Sequence, residues 1–126
     1  MKGIKALRCL VKIDQVWESP LLHILITKED NVYVSRCLDF TVSSHGETVA
    51  ESLEAVKAAI VEYVLHALEN NKVEQIIDPA TERYWTLFNQ LELKAEKTRI
   101  KRSASKVNLA MLQNAQEAPA EMIVYA

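Results

Sequence analysis

The sequence predicts an α+β protein in which an antiparallel sheet of three or four strands packs one face on a single long helix. Three observations lead there. Two short runs of apolar and β-branched residues, 21–27 and 32–38, flank the polar turn Lys28-Glu29-Asp30-Asn31, which is the pattern of a hairpin. A Gly-x-Thr-x-x-Glu step at 46–51 then precedes an apolar stripe of helical period. Finally, the chain has only 2 glycines, few for the tight turns of a β-sandwich or a Gly-rich nucleotide fold.

The first twenty residues fit either period. Ile4, Leu7, Leu10 and Val11 have helical spacing, whereas Val11 and Ile13 around Lys12 suit a strand. Ser19-Pro20 ends whatever precedes it. In the hairpin, alternation sets Leu22, Ile24 and Ile26 on one face and Leu21, His23 and Leu25 on the other. Both faces are apolar, so one needs a helix and the other needs the C-terminal segment or a second subunit. A third short strand is expected at 41–44.

The stretch "SSHGETVAESLEAV" joins strand to helix. Gly46 is expected to supply a positive φ for a sharp turn. Thr48 is expected to cap the helix and Glu51 to reach back to the cap amide. Val49, Leu53, Val56, Ile60, Val64 and Leu68 then form one apolar stripe, and Asn70-Asn71 stops it. His45 and Glu47 flank this joint, but a general base needs an oriented partner and a substrate cleft, and turn and cap explain the residues without chemistry.

Beyond the helix, 73–77 is expected as a short strand. A further helix is expected from Pro79, with Pro in its first turn and Trp85, Phe88 and Leu91 in a stripe beside Leu87. This stripe suits either the core or a partner-recognition face. The stretch 94–106 carries Lys94, Lys97, Arg99, Lys101, Arg102 and Lys106 against Glu96. It is expected as an exposed loop, with phosphate contact by Lys97, Arg99, Lys101 and Arg102 as the alternative. No aromatic residue lies there for base stacking. The apolar end of the chain, 121–126, reads as a strand that would pair with a sheet edge.

At 126 residues and 49% apolar content the chain is long enough for one domain with a real core. The net charge of -2 gives the whole chain no pull toward nucleic acid or membrane. Arg8, Lys12 and Asp14 interrupt any signal-peptide core, and Cys9 and Cys37 have no metal-type spacing and are expected as reduced thiols. A cytoplasmic protein is expected. His23, His45 and His66 lie far apart, so no metal site is expected. Asp39, Glu47 and Glu51 could imitate an acidic Mg²⁺ centre, but such centres need several convergent carboxylates, and Glu51 is already assigned to the cap.

A hairpin, a short third strand and Gly-x-Thr-x-x-Glu opening an amphipathic helix resemble the HicB-like antitoxin family of bacterial toxin–antitoxin pairs. The likeness runs from Ile24 to about Leu68. "NVYVSRCLDF" is similar to the family's second strand, an aromatic-Val segment leading to Cys-x-Asp. "GETVAESLEAVKAAIVEYV" is similar to its helix opening. The sequence departs from the pattern at Leu38 and Phe40, where the family usually has prolines, at Ala58, where a second glutamate often stands, and over 71–126, which match no DNA-binding module. The resemblance implies a partial RNase H-like fold, with a HicB-like core at about 21–70 and a C-terminal helix/strand extension at 71–126 in a single domain 1–126. It implies a non-enzymatic, cofactor-free antitoxin that blocks a HicA-type mRNA-cleaving toxin, as a dimer or tetramer. Candidate partner-binding residues are His23, Tyr33, Asp39, Trp85 and Phe88. The alternative is an orphan scaffold of the same fold that binds nucleic acid through 94–106.

Overall fold

The structure, a computed structural model, describes residues 1–115; the strand expected at 121–126 lies outside the described residues. The fold is α+β. Strands β1 (Lys2–Cys9), β4 (Leu22–Glu29), β5 (Val32–Cys37) and β6 (Val42–Gly46) form one antiparallel sheet in the order β1-β4-β5-β6. Two short strands, β2 (Lys12–Ile13) and β3 (Trp17–Glu18), make a separate small hairpin. Three helices follow: α1 (Val49–Glu69), α2 (Glu82–Ser105) and α3 (Leu109–Ala115).

The ambiguous N-terminus is a strand because β4 offers it a long apolar edge. Arg8 pairs with His23 and Leu7 with Ile24, and the register shifts between Gly3 and Lys5. Ser19 closes the small hairpin. Its hydroxyl accepts from the Val11 amide at 2.9 Å, and its own amide donates to the Val11 carbonyl. In the main hairpin, Lys28 and Glu29 pair with Tyr33 and Val32 instead of turning. The turn therefore shrinks to Asp30-Asn31, with Asp30 at φ 55°, a conformation that Asp tolerates better than most residues.

The two sheet faces divide as the alternation requires. Leu22, Ile24 and Ile26 are buried with Val56, Ile60 and Val64 of α1. Leu25 is buried with Leu38 and Phe88 on the other side, with Ala6, Trp85, Leu87 and Leu91 packed around them. The chain's own α2 thus covers the second face, and that face needs no second subunit. Small residues admit the helix: a Cβ on Gly3 would lie 3.0 Å from Leu87 and 3.1 Å from Leu91.

Helix α1 ends where expected. Asn71 takes φ 54°, the Lys72 amide donates to the Ala67 carbonyl at 2.8 Å and the Asn71 amide to Leu68 at 3.3 Å, the paired bonds of a Schellman stop. Three expectations beyond it are corrected. Residues 73–77 are not a strand: Val73–Gln75 is a 3₁₀ turn. Val73 and Ile76 reach the core while Ile77 is exposed, and a spacing of three suits the 3₁₀ period rather than alternation. Helix α2 begins at Glu82, not at Pro79. The amides of Asp78 and Ala80, on either side of that proline, are held by the carbonyls of Asp39 and Leu38 at 2.9 and 2.8 Å, which keeps the chain extended. The basic stretch is no loop. It is helical through Ser105, because it is rich in Lys, Arg and Ala and has no Gly or Pro to break it.

Contacts divide the chain after Leu93 into Met1–Leu93 and a unit starting at Lys94. The first unit holds the sheet, α1 and the start of α2. The described part of the second is exposed helix, with Asn108 capping α3 through a 3.0 Å bond from the Met111 amide. Among the described residues no helix is long and apolar enough to cross a membrane.

Candidate functional site

The joint between β6 and α1 is built by packing and capping. The Thr48 hydroxyl accepts from the Glu51 amide at 3.0 Å. Glu51 itself is exposed and no bond returns from its carboxylate to the cap, so only half of the expected capping box forms. Gly46 is required for a different reason from the one expected. Its φ is not positive. It is buried, and an added Cβ would stand 2.6 Å from the Ser52 nitrogen, so β6 passes against the first turn of α1 too closely for any side chain. One turn further on, the Ser35 hydroxyl donates to Ser52 at 2.8 Å, and Ser52 donates to the Val49 carbonyl. Ser35 and Ser52 are both fully buried. This strand-to-helix pair was not anticipated, although Ser52 lies three before Ala55 and four before Val56, on the buried side of the stripe.

His45 and Glu47 are exposed beside this joint. The joint therefore consists of steric fit and caps. Among the described residues no three His, Cys, Asp or Glu side chains come together as a metal site, and this includes the Asp39, Glu47 and Glu51 set.

Four of the five candidate partner-binding residues meet on the α2 side of the sheet. Asp39 accepts from the His23 amide at 2.8 Å and lies 3.1 Å from His23 Nδ1. This contact fixes the imidazole's orientation, and with Asp39 ionised it makes Nδ1 the protonated nitrogen. The ring meets Trp85 and Phe88 edge-on, at 5.0 and 5.3 Å between centroids. Trp85 Nε1 donates to the Ala80 carbonyl. Phe88 has no exposed surface, so its ring belongs to the core and is no anchor for a partner. Tyr33 stands apart, packed at the edge of the α1-side core with Lys28 over its ring.

Next to this cluster is an arginine–tyrosine stack that sequence reasoning missed. Arg36 donates to Thr27 at 2.8 Å and to Glu29 at 3.2 Å. Its guanidinium lies 4.7 Å from the Tyr84 ring, and that of Arg83 lies at the same distance. The hydrogen bond from Arg83 lowers the pKa of the Tyr84 phenol, and Arg36 adds to this. Only the alternation that turns Arg36 toward α2 hinted at it.

A shallow, open groove runs along the outer side of α1 beside Val42. Ala58, Val61 and Leu65 line it, with Glu54, Lys57 and Glu62 at its margins. In the basic stretch, Lys97, Arg99, Lys101 and Arg102 are all exposed on helix, and Arg99 pairs with Glu96 one turn before it. Cys37 is fully buried, and burial pushes its thiol up to about 11.

Compared with known proteins, the chain matches no family model, no curated protein and no solved structure.

Proposed function

We propose that this protein is a cytoplasmic antitoxin of HicB-like type, one that binds a small HicA-type mRNA-cleaving toxin and blocks it by occlusion, with no chemistry of its own. The observation that supports this reading is the run β4-β5-β6-α1. Three consecutive antiparallel strands pass through a glycine-tight, threonine-capped joint into one long helix, which is the arrangement the resemblance implies. The residues of that joint serve its architecture. The test is to co-express the chain with a HicA-type toxin encoded beside it and to titrate mRNA cleavage by the purified toxin. Cleavage is expected to fall in proportion to added protein and to stop at a fixed stoichiometry. Undiminished cleavage at a large excess, with no complex on gel filtration, would overturn the reading.

A second reading rests on 94–106, where six cations stand exposed against one acid, five of them on α2 and Lys106 just past its end. Such a surface would bind phosphate backbones through counterion release. Replacing Lys101 and Arg102 with Glu would then weaken RNA binding and flatten its salt dependence. Unchanged binding would remove this reading.

A further inference from the structure

Three residues that the antitoxin reading leaves unused, Arg36 on β5 and Arg83 and Tyr84 on α2, gather more positive charge than their neighbours balance. Both guanidinium groups lie 4.7 Å from the centre of the Tyr84 ring. A ring face attracts one cation, but a second cation at the same ring is repelled by the first. The compensation is incomplete. Arg36 donates to Glu29 at 3.2 and 3.3 Å, long for a charge-assisted bond and longer than the two 2.8 Å bonds from Arg8 to Glu92. Among the described residues Arg83 has no carboxylate at ion-pair distance. Its side chain donates instead to the Tyr84 phenol at 2.7 Å. Two cations therefore share one loosely held acid.

We infer that Arg36, Arg83 and Tyr84 form a binding site for a phosphate group, either the free ion or a small phosphate monoester. The donors for it are present. A guanidinium has five N–H donors. Among the described residues Arg36 places its side-chain bonds on Thr27 and Glu29 alone, and Arg83 on Tyr84 alone, so both retain N–H groups to give. The Tyr84 hydroxyl accepts from Arg83, which leaves its own proton to donate outward. These donors come from two guanidinium planes and a phenol, on different elements. A tetrahedral phosphate offers three strong acceptor oxygens in different directions and a charge near -2 at neutral pH, whereas a planar carboxylate serves one fork and carries a single charge. Because Arg36 stands on a strand and Arg83 on a helix, a bound phosphate would also tie the start of α2 to the sheet and stabilise the fold by mass action. All the residues of the site lie in the unit Met1–Leu93, so it is separate from the basic stretch 94–106.

Isothermal titration and thermal unfolding of the full chain at low ionic strength test this, with inorganic phosphate and methyl phosphate as probes and chloride as the control. At least one probe is expected to bind and to raise the melting temperature, and the tighter of the two tells a free ion from an ester. Arg83 is exposed, so Arg83→Gln is expected to leave the circular dichroism spectrum unchanged while weakening binding about tenfold. Tyr84→Phe keeps the ring and is expected to weaken binding less. Lys101→Gln with Arg102→Gln is expected to leave it intact. The Tyr84 phenol reports from the site itself. The hydrogen bond from Arg83 holds its pKa below the ordinary value, and a bound anion is expected to push it back up, read by ultraviolet titration as the difference between wild type and Tyr84→Phe. Failure of both probes to bind overturns the inference. So does binding that Arg83→Gln leaves intact, or binding that the Lys101 and Arg102 substitutions abolish.

Discussion

The two faces of the sheet are closed by helices that work in different ways. On the α1 face, cover is distributed. Val56, Ile60 and Val64 are each essentially buried against Leu22, Ile24 and Ile26, so no single side chain carries the contact. On the α2 face, cover is concentrated. Phe88 is the one fully buried residue of α2, set against Leu25 and Leu38. Around it Trp85, Leu87 and Leu91 are only partly buried, and polar contacts add to them: Arg8 with Glu92, Trp85 with the Ala80 carbonyl, Arg36 over Tyr84. A helix with a long apolar stripe docks by area. A helix with a short one docks by a single fully buried anchor, a few partly buried neighbours and the polar contacts around them.

The strongest way to break this contrast is Phe88→Ala. Removing a fully buried aromatic ring costs about 3–5 kcal/mol, and on this face no neighbouring buried residue of α2 shares the loss. Urea unfolding measures it. A cost under about 1 kcal/mol would mean that polar contacts hold α2, and the contrast would fail. The next effect belongs to the α1 face and depends on pH. Burial raises the Cys37 thiol to about 11 from an ordinary 9. Above pH 9 the unfolded thiol ionises while the folded one stays protonated, so the unfolded state binds fewer protons and stability falls as pH rises toward 11. The loss approaches on the order of 2 kcal/mol across that window. Cys9 and Tyr63 are also shifted upward by burial and act with the same sign. The Cys37 share is therefore the difference in slope between wild type and Cys37→Ala, and equal slopes would contradict it.

Two smaller effects sharpen the account of the joint that starts α1. Gly46→Ala would stabilise by up to about 1 kcal/mol if only chain entropy counted. With a Cβ placed 2.6 Å from a backbone nitrogen, a destabilisation of about 1–3 kcal/mol is expected instead, so the sign of the change alone decides between flexibility and close packing. Thr48→Ala removes the acceptor for the Glu51 amide and is expected to cost about 1 kcal/mol. Because the return bond from Glu51 is missing, Glu51→Ala should cost clearly less than Thr48→Ala. Equal costs would mean that the full capping box forms in solution.

What was legible in the sequence follows the same division. The α1 face could be read because its signals are local. A stripe of six apolar residues, a cap and an Asn-Asn stop all lie within 48–71, and each acts on its own neighbours. Strands β4, β5 and β6 were legible for the same reason. The α2 face depends on contacts far apart in sequence. Nothing near Arg8 names Glu92, and nothing near Arg36 names Tyr84. The N-terminal strand stayed ambiguous until β4 gave it a partner, since Ile4, Leu7 and Leu10 fit a helix when taken alone. Gly46 was identified as necessary, but its reason lay in the next element, where the first turn of α1 leaves no room for a Cβ.

The smallest predicted effect tests whether the polar ring on the α2 face stabilises or merely orients. Arg8 and Glu92 are 84 residues apart and meet through two bonds of 2.8 Å, a bidentate geometry that favours strength. Their side chains are 44% and 33% exposed, however, so water competes for both ions and salt screens them. Exposed pairs of this kind contribute about 0.2–1 kcal/mol. A double-mutant cycle with Arg8→Ala and Glu92→Ala should return a coupling in that range, shrinking at high salt, while Phe88→Ala should show no comparable salt dependence. A coupling above about 2 kcal/mol would place the α2 contact in its charges rather than its ring, and the two faces would then differ in chemistry, not only in how evenly their apolar contacts are spread.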